Sequence, residues 1–175
     1  MKIRAVEISD LPFLYRWEND AEVWTDSDTH NPLSQRLLRE YIENSTGDIY
    51  KDGQVRLIIE EDEVVTGCVD LFDLDIRSRR AAMGLYISPS ARGKGLGTAA
   101  VEWVIAYAEK QLHLHQLYAI IRSSNKACMR IYEHLGFTHD AILKEWVILP
   151  DGKYEDAVVF QLVLAKEISN NPAFG

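Results

Sequence analysis

The sequence predicts a mixed α/β fold of the α+β kind, built as one domain. Three observations predict it. About seven short apolar or alternating runs read as strands, and about four segments place apolar residues at helical spacing. Two pairs of strand candidates are joined by tight turns while one pair is joined across a long helix, so the sheet is expected to be mixed and mostly antiparallel. The chain of 175 residues carries no repeat, low-complexity stretch or break in composition, which suits a domain over residues 1–168 and a frayed tail over 169–175.

Lys2 to Val6 alternates and reads as the first strand. Ser9 is then a good N-cap for a helix carrying Leu11, Leu14, Tyr15 and Trp17 on one face. Residues 18–31 are polar and acidic around Trp24 and read as a loop or a broken helix. Pro32 and Ser34 open a second helix in which Leu37, Leu38, Tyr41 and Ile42 recur at helical spacing. Residues 47–53 punctuate the chain between two glycines. Gln54 to Glu60 and Val64 to Phe72 are strands joined across Glu61-Asp62, an antiparallel hairpin. A charged connection over 73–80 leads to a strand over 81–87. The next helix gathers Leu96, Ala100, Val101, Val104, Ile105, Ala108 and Leu112 on one broad apolar face, and Leu117 to Ile121 follows as a buried parallel strand. Ser123-Ser124 cap a short helix with Cys128, Ile131, Tyr132 and Leu135 in register, ended by Gly136. Ala141 to Leu149, the Pro150-Asp151-Gly152 turn and Ala157 to Leu164 form a final hairpin.

Charge narrows the function. A net charge of −8 argues against a general nucleic-acid or anionic-membrane binder, which needs a basic face. The charges are also segregated. Glu7, Asp10, Glu18, Asp20, Glu22, Asp26 and Asp28 face a single base, Arg16, whereas Arg92, Lys94, Lys110, Arg122, Lys126 and Arg130 stand with only Glu102 and Glu109. Such a division suits an anionic cofactor and a cationic second substrate; a solvated acidic face is the plainer alternative. Cys68 and Cys128 form no C-x-x-C pair, the N-terminus has no apolar leader segment and no stretch is apolar enough to span a membrane, so a cytoplasmic location is expected.

The stretch Met83 to Gly97 carries the chemistry. Its strand stops at Ser88-Pro89 and gives way to Arg92-Gly93-Lys94-Gly95-Leu96-Gly97, after which a helix begins near Thr98. Glycines at 93, 95 and 97 would let the backbone take positive φ and approach a ligand, and the new helix aims unpaired N–H groups at the same place. The spacing is neither that of a P-loop nor that of a dinucleotide-binding fingerprint. A pyrophosphate cradle of another family or a plain surface loop would fit.

Two motifs then resemble the GCN5-related N-acetyltransferase (GNAT) family. The loop R-x-x-G-x-G is matched by Arg92, Gly95 and Gly97, and the segment N-x-x-[AS]-x-x-x-Y-x-x-x-G-F by Asn125, Tyr132, Gly136 and Phe137, with Cys128 at the small-residue position. The resemblance covers essentially the whole chain and is nearest to the branch of spermidine and diamine acetyltransferases and enzymes that acetylate ribosomal-protein N-termini. It implies a V-shaped splay between the central strands and acetyl-CoA as co-substrate. It implies cofactor contacts from Tyr86, Ile87 and Ser88, from Arg92, Gly93, Lys94, Gly95, Leu96, Gly97 and Thr98, and from Asn125, Lys126 and Tyr132. Tyr132 is then the general acid that protonates the departing thiolate; on periodicity alone it reads as a core aromatic.

Many relatives carry a glutamate on the strand before the cradle, and here Ala82 stands there. Asp70, Asp73, Glu145 or a water chain remain as the base. Asp70, Asp73 and Glu145, with Glu18, Asp20, Glu22, Asp26 and Asp28, are also candidates to hold a cationic acceptor, with Trp24 and Trp146 lining its path or simply packing. His113 and His115 lack a carboxylate or cysteine partner and make a poor metal site, so no metal is expected. The expected activity is direct acetyl transfer to a primary amine, a polyamine or diamine in the first place and a protein N-terminus in the second, by a homo-oligomer. A non-catalytic acyl-CoA-binding module is the reading from another class.

Overall fold

The computed structural model describes residues 1–25 and 31–164, and of Glu22 the backbone only. Asp26, Asp28 and the 169–175 tail lie outside the described residues. Among the described residues seven strands form one sheet in the order β1-β2-β3-β4-β5-β7-β6. They are β1 (Lys2–Ala5), β2 (Val55–Glu61), β3 (Val64–Asp75), β4 (Arg80–Ile87), β5 (Gln116–Arg122), β6 (Thr138–Ile148) and β7 (Tyr154–Val163). Every neighbouring pair is antiparallel except β4 and β5, which run parallel. Among the described residues six helices flank the sheet: α1 (Leu11–Glu18), α2 (Ala21–Thr25), α3 (Gln35–Asn44), α4 (Ile49–Asp52), α5 (Leu96–Lys110) and α6 (Lys126–His134). Two more helices therefore form than periodicity predicts, because α2 and α4 are too short to show a period. Asp48 starts α4 by accepting from Tyr50 N–H at 3.0 Å, and Gly53 ends it in the left-handed region at φ 72°.

The caps differ from expectation at two places. Ser9 falls inside a 3-10 turn over Ile8–Asp10, and α1 starts after Asp10. Asp10 is only 1% exposed because its carboxylate is consumed: it accepts from Glu7 N–H at 2.8 Å and from both terminal nitrogens of Arg4 at 2.7 and 2.9 Å. Before α6, Asn125 is the cap, its Oδ1 accepting from Cys128 N–H at 3.1 Å. Ser123 and Ser124 instead bind Glu155 through Oγ at 3.0 Å and N–H at 2.5 Å.

Strand alternation builds a core on each face of the sheet. Leu57, Ile59, Val69, Leu71, Ala81, Met83, Leu117 and Ala119 point to the face covered by Ala100, Val101, Val104 and Ala108 of α5 and by Met129 and Tyr132 of α6. Ile58 and Cys68 point the other way, beneath Leu11, Leu14 and Trp17 of α1 and Leu38 and Ile42 of α3. Leu37, expected on that stripe, is exposed, since a ten-residue helix on a sheet buries the narrower 38/42 ridge. Each fully buried Leu, Ile or Val contributes about 1.5–3 kcal/mol.

Beyond Ala82 the sheet opens. β4 and β5 pair only at Arg80↔Gln116, Ala81↔Leu117 and Ala82↔Tyr118, although β4 continues to Ile87 and β5 to Arg122. The remaining lengths diverge into a V. Its β4 wall is held from behind by β3, whose Gly67 admits the approach: a Cβ there would lie 2.2 Å from the Tyr86 carbonyl oxygen.

Candidate active site

The V opens into a cleft of about 1930 Å³. At one end lies the glycine loop. Gly93 and Gly95 adopt φ of 76° and 78°, the left-handed region an L side chain enters at a cost, and a Cβ on either would meet nothing within 4 Å. Gly95 is the N-cap of α5, and no side chain caps that terminus. The amides that open a fifteen-residue helix are thus left for a ligand beside open space, and an anionic pyrophosphate fits them in charge and hydrogen bonding. Gly97 has another role. Its φ is ordinary, but a Cβ would lie 3.0 Å from Ile131 Cδ1 and 3.4 Å from Leu85 Cδ2, so it lets α5 sit close against α6 and β4. The expectation of positive φ at all three glycines is corrected to two.

Arg92 is anchored rather than loose: its Nε donates to the Ile87 carbonyl at 3.0 Å, tying the loop to the end of β4. Arg92, Gly93, Gly95, Leu96, Gly97 and Thr98 line the cleft, whereas Lys94 and Lys126 stand outside its lining. Arg130 lines it instead, a cation that the α6 motif passed over because it lies between the motif's fixed positions.

On the β4 wall the alternation of hydrogen bonding decides which amides are available. Ser88 N–H donates to Thr66 carbonyl at 2.9 Å, so Ser88 and, two residues back, Tyr86 turn their amides toward β3. Leu85 and Ile87 therefore turn theirs toward the V. Of the three residues expected here, Ile87 keeps an open amide, and Leu85, missed in the sequence, joins it. The parity of an antiparallel ladder was the signal that would have found it. Tyr86 contributes its ring, packed 4.9 Å from Trp17.

Opposite this wall, α6 presents Asn125, Cys128 and Tyr132. Asn125 Oδ1 is spent on the cap, leaving Nδ2 to donate. Tyr132 is 1% exposed, wedged against Phe137 at 4.8 Å and Phe160 at 6.0 Å, and lines the cleft. Both sequence readings meet in it, a core ring that reaches the site. Burial, and then Cys128, push its hydroxyl well above the usual tyrosine value. It therefore stays protonated and does not act as a base.

The acidic candidates divide. Asp70 and Glu18 line the cleft, but Arg56 claims both: Nε and Nη2 hold Asp70 at 2.8 and 2.7 Å, and Nη1 holds Glu18 Oε1. Burial opposes the charge on this guanidinium, yet Asp70 and its neighbours keep it firmly protonated. Asp70 is thereby corrected as a base: both of its carboxylate oxygens are already occupied by the Arg56 guanidinium. Asp20 lines the cleft. Trp24 turns its Nε1 to the Glu18 carbonyl at 2.6 Å, and it lies outside the lining, as does Glu145, whose N–H donates to Asp156 Oδ1 at 2.9 Å on a bulge of β6. Both are dropped from the acceptor set. Trp146, next to Glu145, does line the cleft.

The chain is similar to known proteins in sequence and in fold. The model of the acetyltransferase (GNAT) domain matches residues 1–138. The spermidine N(1)-acetyltransferase of Escherichia coli K12 is 28% identical over 162 residues, covering 90% of this chain and 83% of that one. The ribosomal protein bS18 alanine N-acetyltransferase of the same strain is 25% identical over 165 residues, covering 93% and 97%. In fold, the spermidine N-acetyltransferase of Vibrio cholerae in complex with CoA and spermine superposes with a TM-score of 0.84 at 23% identity, over 93% of this chain and 95% of that one.

Proposed function

The chain belongs to the GNAT acetyltransferase family, and we propose that it transfers acetyl from acetyl-CoA to a primary amine of a small polyamine such as spermidine, by direct attack in a ternary complex. The observation that carries the acceptor class is the acidic lining of the cleft. Glu18, Asp20, Asp70 and Asp73 all border it. A short polycation is drawn to such a lining. The similarity to the Escherichia coli spermidine enzyme supports the same choice.

The residues divide the work. Acetyl-CoA supplies the activated acetyl group as a thioester. The amides of residues 93–98 hold its pyrophosphate, with Arg92 and Arg130 adding positive charge. Leu85 and Ile87 amides face the V and are placed to donate to pantetheine and to the thioester carbonyl, an oxyanion-hole role. Asn125 Nδ2 donates from the other wall. Tyr132 gives its proton to the departing sulfur. The acceptor must shed a proton first; at neutral pH this costs about 4 kcal/mol for an ammonium near pKa 10.4, and the open mouth lets water carry it away.

The lack of a carboxylate at Ala82 was the only support for a non-catalytic module, and family membership places the chain among acetyltransferases. A protein N-terminus is the second reading, favoured by the 97% coverage of the bS18 alanine acetyltransferase. Thiol release from acetyl-CoA across spermidine, spermine, putrescine and alanine-leading peptides separates the two. Fastest turnover with spermidine is expected; fastest turnover with a peptide would overturn the polyamine reading. A homo-oligomer is part of the proposal, since edge strand β6 leaves Ile142, Trp146 and Ile148 exposed, and sedimentation at micromolar concentration reads it directly. Among the described residues no helix is long and apolar enough to cross a membrane.

A further inference from the structure

We propose that Asp73 of β3 and Tyr118 of β5 together receive the acceptor nitrogen, taking over the position that Ala82 of β4 leaves without a carboxylate. The register places them there. Ala82 pairs with Phe72 on one side and with Tyr118 on the other, so residue 73 and residue 118 flank residue 82 from its two neighbouring strands. Ala82↔Tyr118 is also the last pair before β4 and β5 part, which puts the two side chains at the apex of the V, where the thioester end of a cofactor entering from the glycine loop has to stop.

A bulge makes the arrangement work. In a regular strand Asp73 would follow Leu71 toward the α5 core. Asp73 instead takes φ 50° within the irregularity between Phe72 and Asp75, which breaks the alternation, and it lines the cleft together with Tyr118. The other charges nearby are engaged: Asp75 accepts from Ser78 Oγ at 2.9 Å and pairs with Arg80 at 3.1 Å, and Asp70 is held by Arg56. Among the described residues none hydrogen-bonds to the Asp73 side chain. Burial first, and then the Asp73 carboxylate, push the Tyr118 hydroxyl above its usual value, while Arg80 opposes them; the carboxylate and the hydroxyl thus share one local field.

This pair suits a primary amine. The carboxylate accepts one N–H and the hydroxyl oxygen a second, which leaves the lone pair of the neutral amine free to face the V. A carboxylate on β3 in place of one on β4 shifts the acceptor sideways without changing the chemistry. The inference rests on an amine acceptor, whichever of the two classes it comes from.

Asp73→Asn and Tyr118→Phe test it, with spermidine and an alanine-leading peptide as acceptors. Asp73→Asn is expected to raise the KM of whichever amine the wild type turns over by about 10–100-fold, the range of a charge-assisted hydrogen bond, with the KM of acetyl-CoA unchanged. Tyr118→Phe is expected to do the same more weakly. Calorimetric titration of that amine into the CoA-loaded protein gives a second readout, and the same loss of affinity is expected there. Amine KM and affinity within twofold of wild type in Asp73→Asn, with an unchanged melting temperature, would overturn the assignment. Preference of the wild type for peptide over spermidine overturns the polyamine reading alone, since the Asp73 effect is then read on the peptide.

Discussion

Replacing Gly95 by alanine separates the two reasons for a glycine in the cradle. At φ 78° an L residue sits in the left-handed region at a cost of about 1–2 kcal/mol. Loss of glycine's freedom in the unfolded chain returns about 0.4–1 kcal/mol, so the net destabilisation is about 1 kcal/mol, or about 2–4 °C in Tm for a chain of this size. The protein itself raises no further objection, since nothing lies within 4 Å of the added methyl. A pyrophosphate held on the α5 amides does: loss of even one amide contact, at about 1.5 kcal/mol, raises the KM of acetyl-CoA by about tenfold. Gly47→Ala is the control, with φ 71°, an equally empty surround and a place outside the cleft lining. Both variants should lose similar stability by thermal melting, and only Gly95→Ala should lose affinity for acetyl-CoA. Equal KM values in the two variants would refute the cradle.

Two further expectations follow from the ion pairs. Arg56→Ala strands Glu18 and Asp70 at about one-fifth exposure and should cost about 3–5 kcal/mol, read by urea unfolding; a loss under 1 kcal/mol would show that water rescues the carboxylates. For Asp10, burial acts to raise the pKa, but the Arg4 and Glu7 hydrogen bonds prevail and hold it below the ordinary carboxylate value. A depressed folded-state pKa contributes stability that is present above the unfolded value, about 3.9, and is lost as pH falls through the folded one. Tm should therefore fall more steeply below about pH 4 in the wild type than in Asp10→Asn, and parallel curves would contradict the pairing.

The sequence already outlined the seven strands, the crossover helix and the two motifs, because periodicity and glycine punctuation are local signals. What it hid was set by contacts across the sheet. Asp70 looked like an available carboxylate until β2 placed Arg56 fourteen residues away beside it. Ser88 looked like a cofactor amide until the β3 register occupied it. Gly97 looked like a turn glycine, yet its constraint comes from Ile131 on α6. Ser123-Ser124 looked like the cap of α6, yet Glu155 on β7 captures both serines and Asn125 caps the helix instead. The apex of the V was legible only in part, since Ala82 declared a missing carboxylate while the bulge that brings in Asp73 has no sequence signature.

The direct test of the account is the rate of Tyr132→Phe with the preferred amine at saturating acetyl-CoA. The ring is buried between Phe137 and Phe160, so losing only its hydroxyl should leave the fold and cofactor affinity intact. Turnover lower by about 10²–10⁴-fold with calorimetric affinity for CoA unchanged is the predicted result. Turnover within threefold of wild type would contradict Tyr132 as the proton donor, and with it the assignment of the V as the place where acetyl changes hands.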